Sequence, residues 1–306
     1  MSFINNTHLS KYIFNSVRRP RRQKRGNMTQ LLSAGFARLF KNKLFWFGSL
    51  LFTGFFVMLL IHNHQNMTAY PDIYHYTGDS LMFAPFQIIG LFASCYTGMF
   101  LGTEYRDGTL RNKLVIGRSR TEVYLSNLTV SFTASLLTCA FSVLINLAVG
   151  VALFGAPEMT ILQMLVTSGL GVLMLAAFAG IFTLISMLIP SKSAGSVVNI
   201  LLFFMFVFAT AYVMNRLQAT EFSMPGYSIT IDGELQPRDP VPNPFYLRGT
   251  ARQLFEFVRD MLPTCQGAVL SGQMVERPLV MALSSLGITA CTTVSGVFHF
   301  CRKDLK

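Results

Sequence analysis

Six apolar runs dominate the chain, at residues 44–61, 81–101, 123–154, 160–189, 193–214 and 278–300. Each is near or above the roughly 18 to 20 residues that span a hydrocarbon core about 30 Å thick. None alternates apolar and polar positions as a barrel strand must. Lipid offers no partners to backbone N–H and C=O groups, so all six are predicted as helices. The third and fourth runs are longer than one crossing requires, and the pattern leaves tilting, kinking and extension past the interface open. The predicted fold class is all-α: a polytopic membrane protein with six transmembrane helices, an N-terminal interfacial amphipathic helix and one large external segment before the last span.

The segments between the runs carry their own periodicity. Asn27 followed by Gln30 resembles a capping box, after which Leu31, Leu32, Gly35, Phe36, Leu39 and Phe40 fall on one helical face and Arg38, Lys41 and Lys43 on the other. Such a helix lies flat on the inner membrane surface or extends the first span inward, and the pattern alone leaves both open. After the second span, Leu110, Leu114 and Val115 recur at helical spacing between Gly108 and Gly117, predicting a helix of about two turns. Ser119-x-x-Glu122 is a second capping box, which starts the third span near Arg120. The external segment 215–277 is broken by Pro225, Pro237, Pro240, Pro242, Pro244 and Pro263. Within it, 249–262 reads as an amphipathic helix with Leu254, Phe257, Val258 and Met261 together. The stretch 263–270 is apolar but too short to cross, so it is either a shallow re-entrant element or a surface loop.

Composition agrees with a membrane protein: 52% of the residues are hydrophobic and only 13% charged, with mean hydropathy +0.46. The net charge of +11 is explained by topology. Basic residues gather in the tail 1–26, in the first helix, and in the loop after the second span (Arg106, Arg111, Lys113, Arg118, Arg120). Lys192, Arg302, Lys303 and Lys306 complete the set, while 62–80 and 155–159 hold no Lys or Arg. The positive-inside rule then predicts both termini in the cytoplasm of a plasma-membrane protein. Nucleic acid is not needed to explain the charge, although the basic tail is suited to touching anionic membrane lipid. The chain divides into a flexible basic cytoplasmic tail at 1–26 and a transmembrane domain at 27–306, with no cleavable signal peptide expected. Cys95, Cys139, Cys265, Cys291 and Cys301 read as buried small residues without an external pair, and His62-x-His64 with His75 is a weak metal signal.

Little in the chain does chemistry unaided. There is no GxxxxGK[ST] phosphate loop, no HExxH, no GxSxG and no pair of carboxylates within a predicted span, so no catalytic residue, cofactor or metal is assigned and the chain is not expected to be an enzyme. The spans lack Asp, Glu, Lys and Arg, which argues against an ion-coupled carrier. Gly169, Gly171, Ala176 and Gly180, with the amides Asn127, Asn146, Gln163 and Asn199, read as helix-packing residues rather than as a substrate pocket.

Against that background the charged stretch 102–125 stands out. Its segment Glu104-Tyr105-Arg106-Asp107-Gly108-Thr109-Leu110-Arg111-Asn112-Lys113-Leu114 resembles the coupling loop after the second span in permeases of the type-2 ABC transporter family. The resemblance extends to the six spans, the preceding amphipathic helix, the large outer segment and the ending Phe300-Cys301-Arg302-Lys303-Asp304-Leu305-Lys306, and so covers 27–306. It implies an exporter permease paired with a second copy or a paralogue and joined to cytoplasmic ATP-binding cassette subunits. ATP and Mg are then held on those partners, and nucleotide-driven closure enters through the coupling helix.

The matching positions Glu104, Tyr105, Arg106, Gly108, Thr109, Arg111 and Asn112, together with Lys113, are the candidate ATPase-coupling residues. Glu104 is expected to pair with Arg106, Arg111 or a cation of the first helix, Gly108 to permit the turn, and Asp107 or Thr109 to cap the short helix. Arg111 and Lys113 are expected to face acidic groups of the ATPase. The alternatives are a non-transporting sensor or assembly factor working through 215–277, or an ion-coupled secondary carrier. The substrate is left open.

Overall fold

The computed structural model describes residues 28–222, 227–229, 235–237 and 241–303. The tail 1–26, the Asn27 end of the first predicted cap and the last three residues lie outside them. In chain order the elements are α1 (Met28–Lys41), α2 (Lys43–Ala69), α3 (Pro85–Arg106), α4 (Thr109–Val115), α5 (Arg120–Phe154) and α6 (Ile161–Leu188). They continue with α7 (Lys192–Gln218), β1 (Tyr227–Ile229), β2 (Leu235–Pro237), α8 (Gly249–Met261), α9 (Pro263–Ser271) and α10 (Pro278–Arg302). Six helices, α2, α3, α5, α6, α7 and α10, are long and apolar enough to cross a membrane. The two strands form a small antiparallel hairpin, with Ser228 opposite Gln236, and the other named elements of the described residues are helices.

The spans are arranged around α3 and α6, of which 61% and 67% is buried, against 17% for α7 and for α10. The most extensive pairings join α6 to α10 and α3 to α7. Gly98 makes the second possible, since a Cβ there would stand 2.6 Å from Ser196 Cα. Gly171 and Gly180 are likewise closed in, by Phe86 and Thr292, but Gly169 faces open space. Apolar packing alone gives helices in lipid little reason to associate, and polar contacts supply register. The parallel pair α2 and α5 is tied by Ser49 to Thr138 and, one turn on, Thr53 to Ser142, both at 2.7 Å. Asn199 of α7 donates to Ser94 O (3.5 Å), Phe182 O (3.4 Å) and Ser186 Oγ (2.8 Å), joining α7 to α3 and α6.

Several open alternatives close here. α1 is a separate helix, because the chain leaves helical geometry at Asn42, whose side chain accepts from Leu44 N–H at 3.0 Å and starts α2. α5 runs unbroken for 35 residues, roughly 52 Å of helix, so its excess length is taken up by tilting or by extension past the interface rather than by a break. The Ser119–Glu122 box forms reciprocally at its start. α9 is no surface loop: it is buried between α3, α6 and α7, where Gly267 abuts Phe86 O. α8 is amphipathic as expected, but its charges point toward the protein. Arg259 pairs with Asp260 (2.9 Å) and Glu276 (3.1 Å), and Glu256 with Arg252 (3.2 Å) and Arg277, while Leu254, Phe257 and Met261 are exposed. The cysteines are all free; Cys139 and Cys265 are buried as expected, whereas Cys291 and Cys301 are exposed on α10.

The end carrying α1, α4 and Arg302 is rich in cations and is called the basic end below. At the far end Asp79, 1% exposed, clamps two loops. It accepts from Thr77 Oγ1 at 2.8 Å, Glu158 N–H at 3.1 Å and Met159 N–H at 2.7 Å, and its carbonyl accepts from Gln273 Nε2 at 2.7 Å. Burial pushes its carboxyl pKa up, but the Thr77 hydroxyl and the two backbone N–H groups outweigh it and hold the pKa below the ordinary carboxylate value. Because the folded pKa is depressed, this contribution is complete above the unfolded value near ~3.9 and is lost as pH falls through the folded value. Asp79→Asn replaces one carboxylate oxygen with a donor that faces a backbone N–H group, and should lower stability by about 1–3 kcal/mol. Thermal unfolding of the detergent-solubilised protein should show this loss at neutral pH, and the difference from wild type should shrink as the medium is acidified below pH ~4.

Candidate functional site

α3 ends at Arg106 and the chain reverses within two residues. Gly108 adopts φ +63°, a left-handed geometry that favours glycine, and α4 follows until Gly117, with φ +92°, releases the chain toward Ser119. The order helix, tight break, short helix, tight break, helix is therefore the one predicted. The N-cap position is Gly108, which has no side chain to cap α4, and the Thr109 hydroxyl donates backward to Glu104 O at 3.2 Å, satisfying a carbonyl at the end of α3.

Glu104, in the last turn of α3, is only 1% exposed. Its Oε1 accepts from Arg38 Nη1 of α1 and from Lys113 Nζ of α4, both at 2.5 Å, and its Oε2 accepts from Asn127 Nδ2 of α5 at 2.8 Å. A carboxylate taken out of water is tolerated only with such full pairing. Arg38 is held further by Phe100, whose carbonyl accepts at 3.1 Å and whose ring lies 4.2 Å below the guanidinium. Of the expected partners, then, the cation of the first helix is the one found. Arg106 pairs with Asp107 at the surface (2.8 Å), and Arg111 is exposed. Lys113, expected to face outward, turns inward because its stem bridges α4 to the buried carboxylate.

Tyr105 completes the junction on the other side. Its hydroxyl donates to Met187 O at the end of α6 and accepts from Lys303 Nζ at 3.1 Å. Lys303 also donates to Met187 O (3.0 Å) and Leu188 O (2.9 Å), capping the last turn of α6 with a cation. Burial pushes the Lys303 ammonium pKa below its usual value. Arg120 donates to Phe300 O at 2.9 Å and to Lys303 O, fixing the start of α5 to the end of α10. Two adjacent residues thus gather the ends of α1, α3, α4, α5, α6 and α10.

What the hinge leaves outside is a short face of its own. Arg111 and Asn112 are exposed, and Val115 and Ile116 are 74% and 64% exposed although apolar. Inside are Glu104, Tyr105, Lys113 and Leu110; outside are Arg106, Arg111 and Asn112. Sequence reasoning missed Asn127, Lys303 and Arg120 as members of the junction. The signals were an amide two turns into a span and a basic pair closing the last helix.

A family profile described as ABC-2 family transporter protein matches residues 31–210, which takes in most of α1, the hinge, four whole spans and most of α7. The chain belongs to the ABC-2 transporter family. It is a multi-pass permease of an ABC transporter, as the hinge resemblance implied. A comparison with curated proteins found no match.

In this permease the buried carboxylate is the most exposed to mutational loss. Glu104→Ala strands Arg38 and Lys113 beside a removed partner. It should destabilise the protein by about 3 kcal/mol, the lower part of the range for a broken buried pair because both cations keep some access to water. Thermal unfolding in detergent measures it, with the surface variant Arg106→Ala expected to unfold close to the wild-type temperature.

Proposed function

We propose that this permease is the transmembrane subunit of an ATP-driven exporter in the plasma membrane, with its basic end in the cytoplasm. An ATP-binding cassette subunit, which holds ATP and Mg, docks on the exposed face of α4, and a second permease copy or a paralogue completes the membrane unit. The observation that carries this reading is the division of the hinge. Its outer face presents Arg111, Asn112, Val115 and Ile116 to a partner, while Glu104 and Tyr105 tie its inner face to five other helices. A push on α4 is passed to α1 and α5 through Glu104, and to α6 and α10 through Tyr105 and Lys303. The distribution of Lys and Arg supports the orientation.

Docking and transmission are separable. Val115→Asp with Ile116→Asp changes only exposed side chains, so the protein should fold and insert normally but lose a copurifying ATP-binding subunit. Tyr105→Phe keeps the ring against Lys303 and removes the hydroxyl, a loss of about 1 kcal/mol in stability. It should retain the ATP-binding subunit while ATP hydrolysis by the reconstituted complex becomes less coupled to transport. Transport that persists in vesicles holding only this chain, driven by an ion gradient, would overturn the reading.

A further inference from the structure

A recess of about 440 Å³ opens beside the α1–α2 break, lined by Arg38, Lys41, Asn42, Leu44, Phe100 and Thr103. One rim is cationic and hydrogen-bonding; the other wall is apolar. Its depth in the membrane is marked by Trp46, the single tryptophan of the chain, 56% exposed with its indole N–H donating to Phe40 O at 2.8 Å. An exposed tryptophan whose polar edge is anchored at a helix break is characteristic of the headgroup level.

The charges in the recess are incompletely used. Arg38 and Lys113 share one carboxylate, so the junction keeps a net positive charge. Arg38 spends two N–H groups, on Glu104 and Phe100, and has others to offer. Lys41 is exposed and has no hydrogen bond or ion pair among the described residues. Below the recess Leu44, Phe47 and Leu51 follow one another at helical spacing on α2, 40%, 60% and 58% exposed, an apolar track continuous with the cationic rim.

We propose that this recess binds the headgroup phosphate of an anionic phospholipid, with Lys41 and Arg38 on the phosphate oxygens, Asn42 and Thr103 beside them, and an acyl chain along Leu44, Phe47 and Leu51. A soluble phosphate has no use for that apolar track, whereas a phospholipid fills both halves. Arg38 faces the lipid and Glu104 together, so the occupant sits one side chain from the hinge junction. The site stands whether or not an ATP-binding subunit docks on α4.

The test uses the full chain in nanodiscs of phosphatidylcholine with increasing phosphatidylglycerol. It reads lipid retained through native mass spectrometry and the emission of Trp46, two residues along α2 from Leu44 of the recess. Wild type should retain phosphatidylglycerol in preference to phosphatidylcholine with a saturable change in emission. Lys41→Glu should reduce that preference by about fivefold or more, the scale of one cation at a headgroup surface. Lys41→Gln should lie between. A charge-matched control in the tail, Lys24→Glu, should leave the saturable change in place. Equal retention of the two lipids, or equal effects of Lys41→Glu and Lys24→Glu, would refute a defined site. Reproduction of the emission change by glycerol phosphate in phosphatidylcholine discs would refute the lipid assignment in favour of a soluble anion.

Discussion

A carboxylate withdrawn from water at the end of α3, one of the two central spans, governs the basic half of this molecule. Glu104 is held at 1% exposure, where an unpaired charge would cost several kcal/mol. The surrounding chain therefore has to bring donors to it, and it does so from three directions, α1, α4 and α5. Of the three elements α4 is the least attached otherwise, since α1 also packs on α5 where Gly35 meets Val130, and Arg120 ties the start of α5 to the end of α10. α4 is seven residues long, below the length at which a helix is stable alone, so its position depends on Lys113, Leu110 and the Thr109 back-bond.

The consequence is mechanical. A hinge joined to the bundle by exposed side chains would slide on it, because surface ion pairs are worth little. Here sliding of α4 would take Lys113 away from a buried carboxylate, so α4 is held to α3 more firmly than exposed contacts would hold it. Tyr105 extends the same body to α6 and α10 by neutral and charged hydrogen bonds to helix-terminal carbonyls. Polar chemistry is then spread along the bundle by depth: ionic at the basic end, hydroxyl and amide contacts between the spans, and at the far end the Asp79 clamp and the ion pairs of α8. Lipid makes each polar contact worth having where water is absent, and the neutral groups occupy the depth where a charge is hardest to place.

Much of this arrangement was legible beforehand. Hydrophobic run length located all six spans, since the thickness of the bilayer imposes it on the chain locally, although α2 continues past the predicted end at Ile61 to Ala69. The helix–break–helix hinge followed from Gly108, Gly117 and the Ser119–Glu122 box, all features satisfied within three or four residues of themselves. The resemblance in 104–114 pointed to the family that the profile over 31–210 then showed. The inward turn of Lys113 was not legible. A basic side chain beside a membrane has two good environments, water and a buried anion, and which one it takes depends on where α3 ends relative to α4.

What the sequence determined by itself was the set of elements: six apolar helices, their cationic flanks, the breaks between them and the helix–break–helix form of the hinge. Those properties rest on local sterics, on capping and on the average polarity of each stretch. Only the tertiary structure decided that Glu104 chooses Arg38 and Lys113 over Arg106 and Arg111, that Asn127 and Lys303 belong to the hinge junction, and that α9 is packed inside rather than laid outside. Those choices join residues 9 to 198 positions apart, and they are made by the desolvation of particular atoms, which no local pattern encodes.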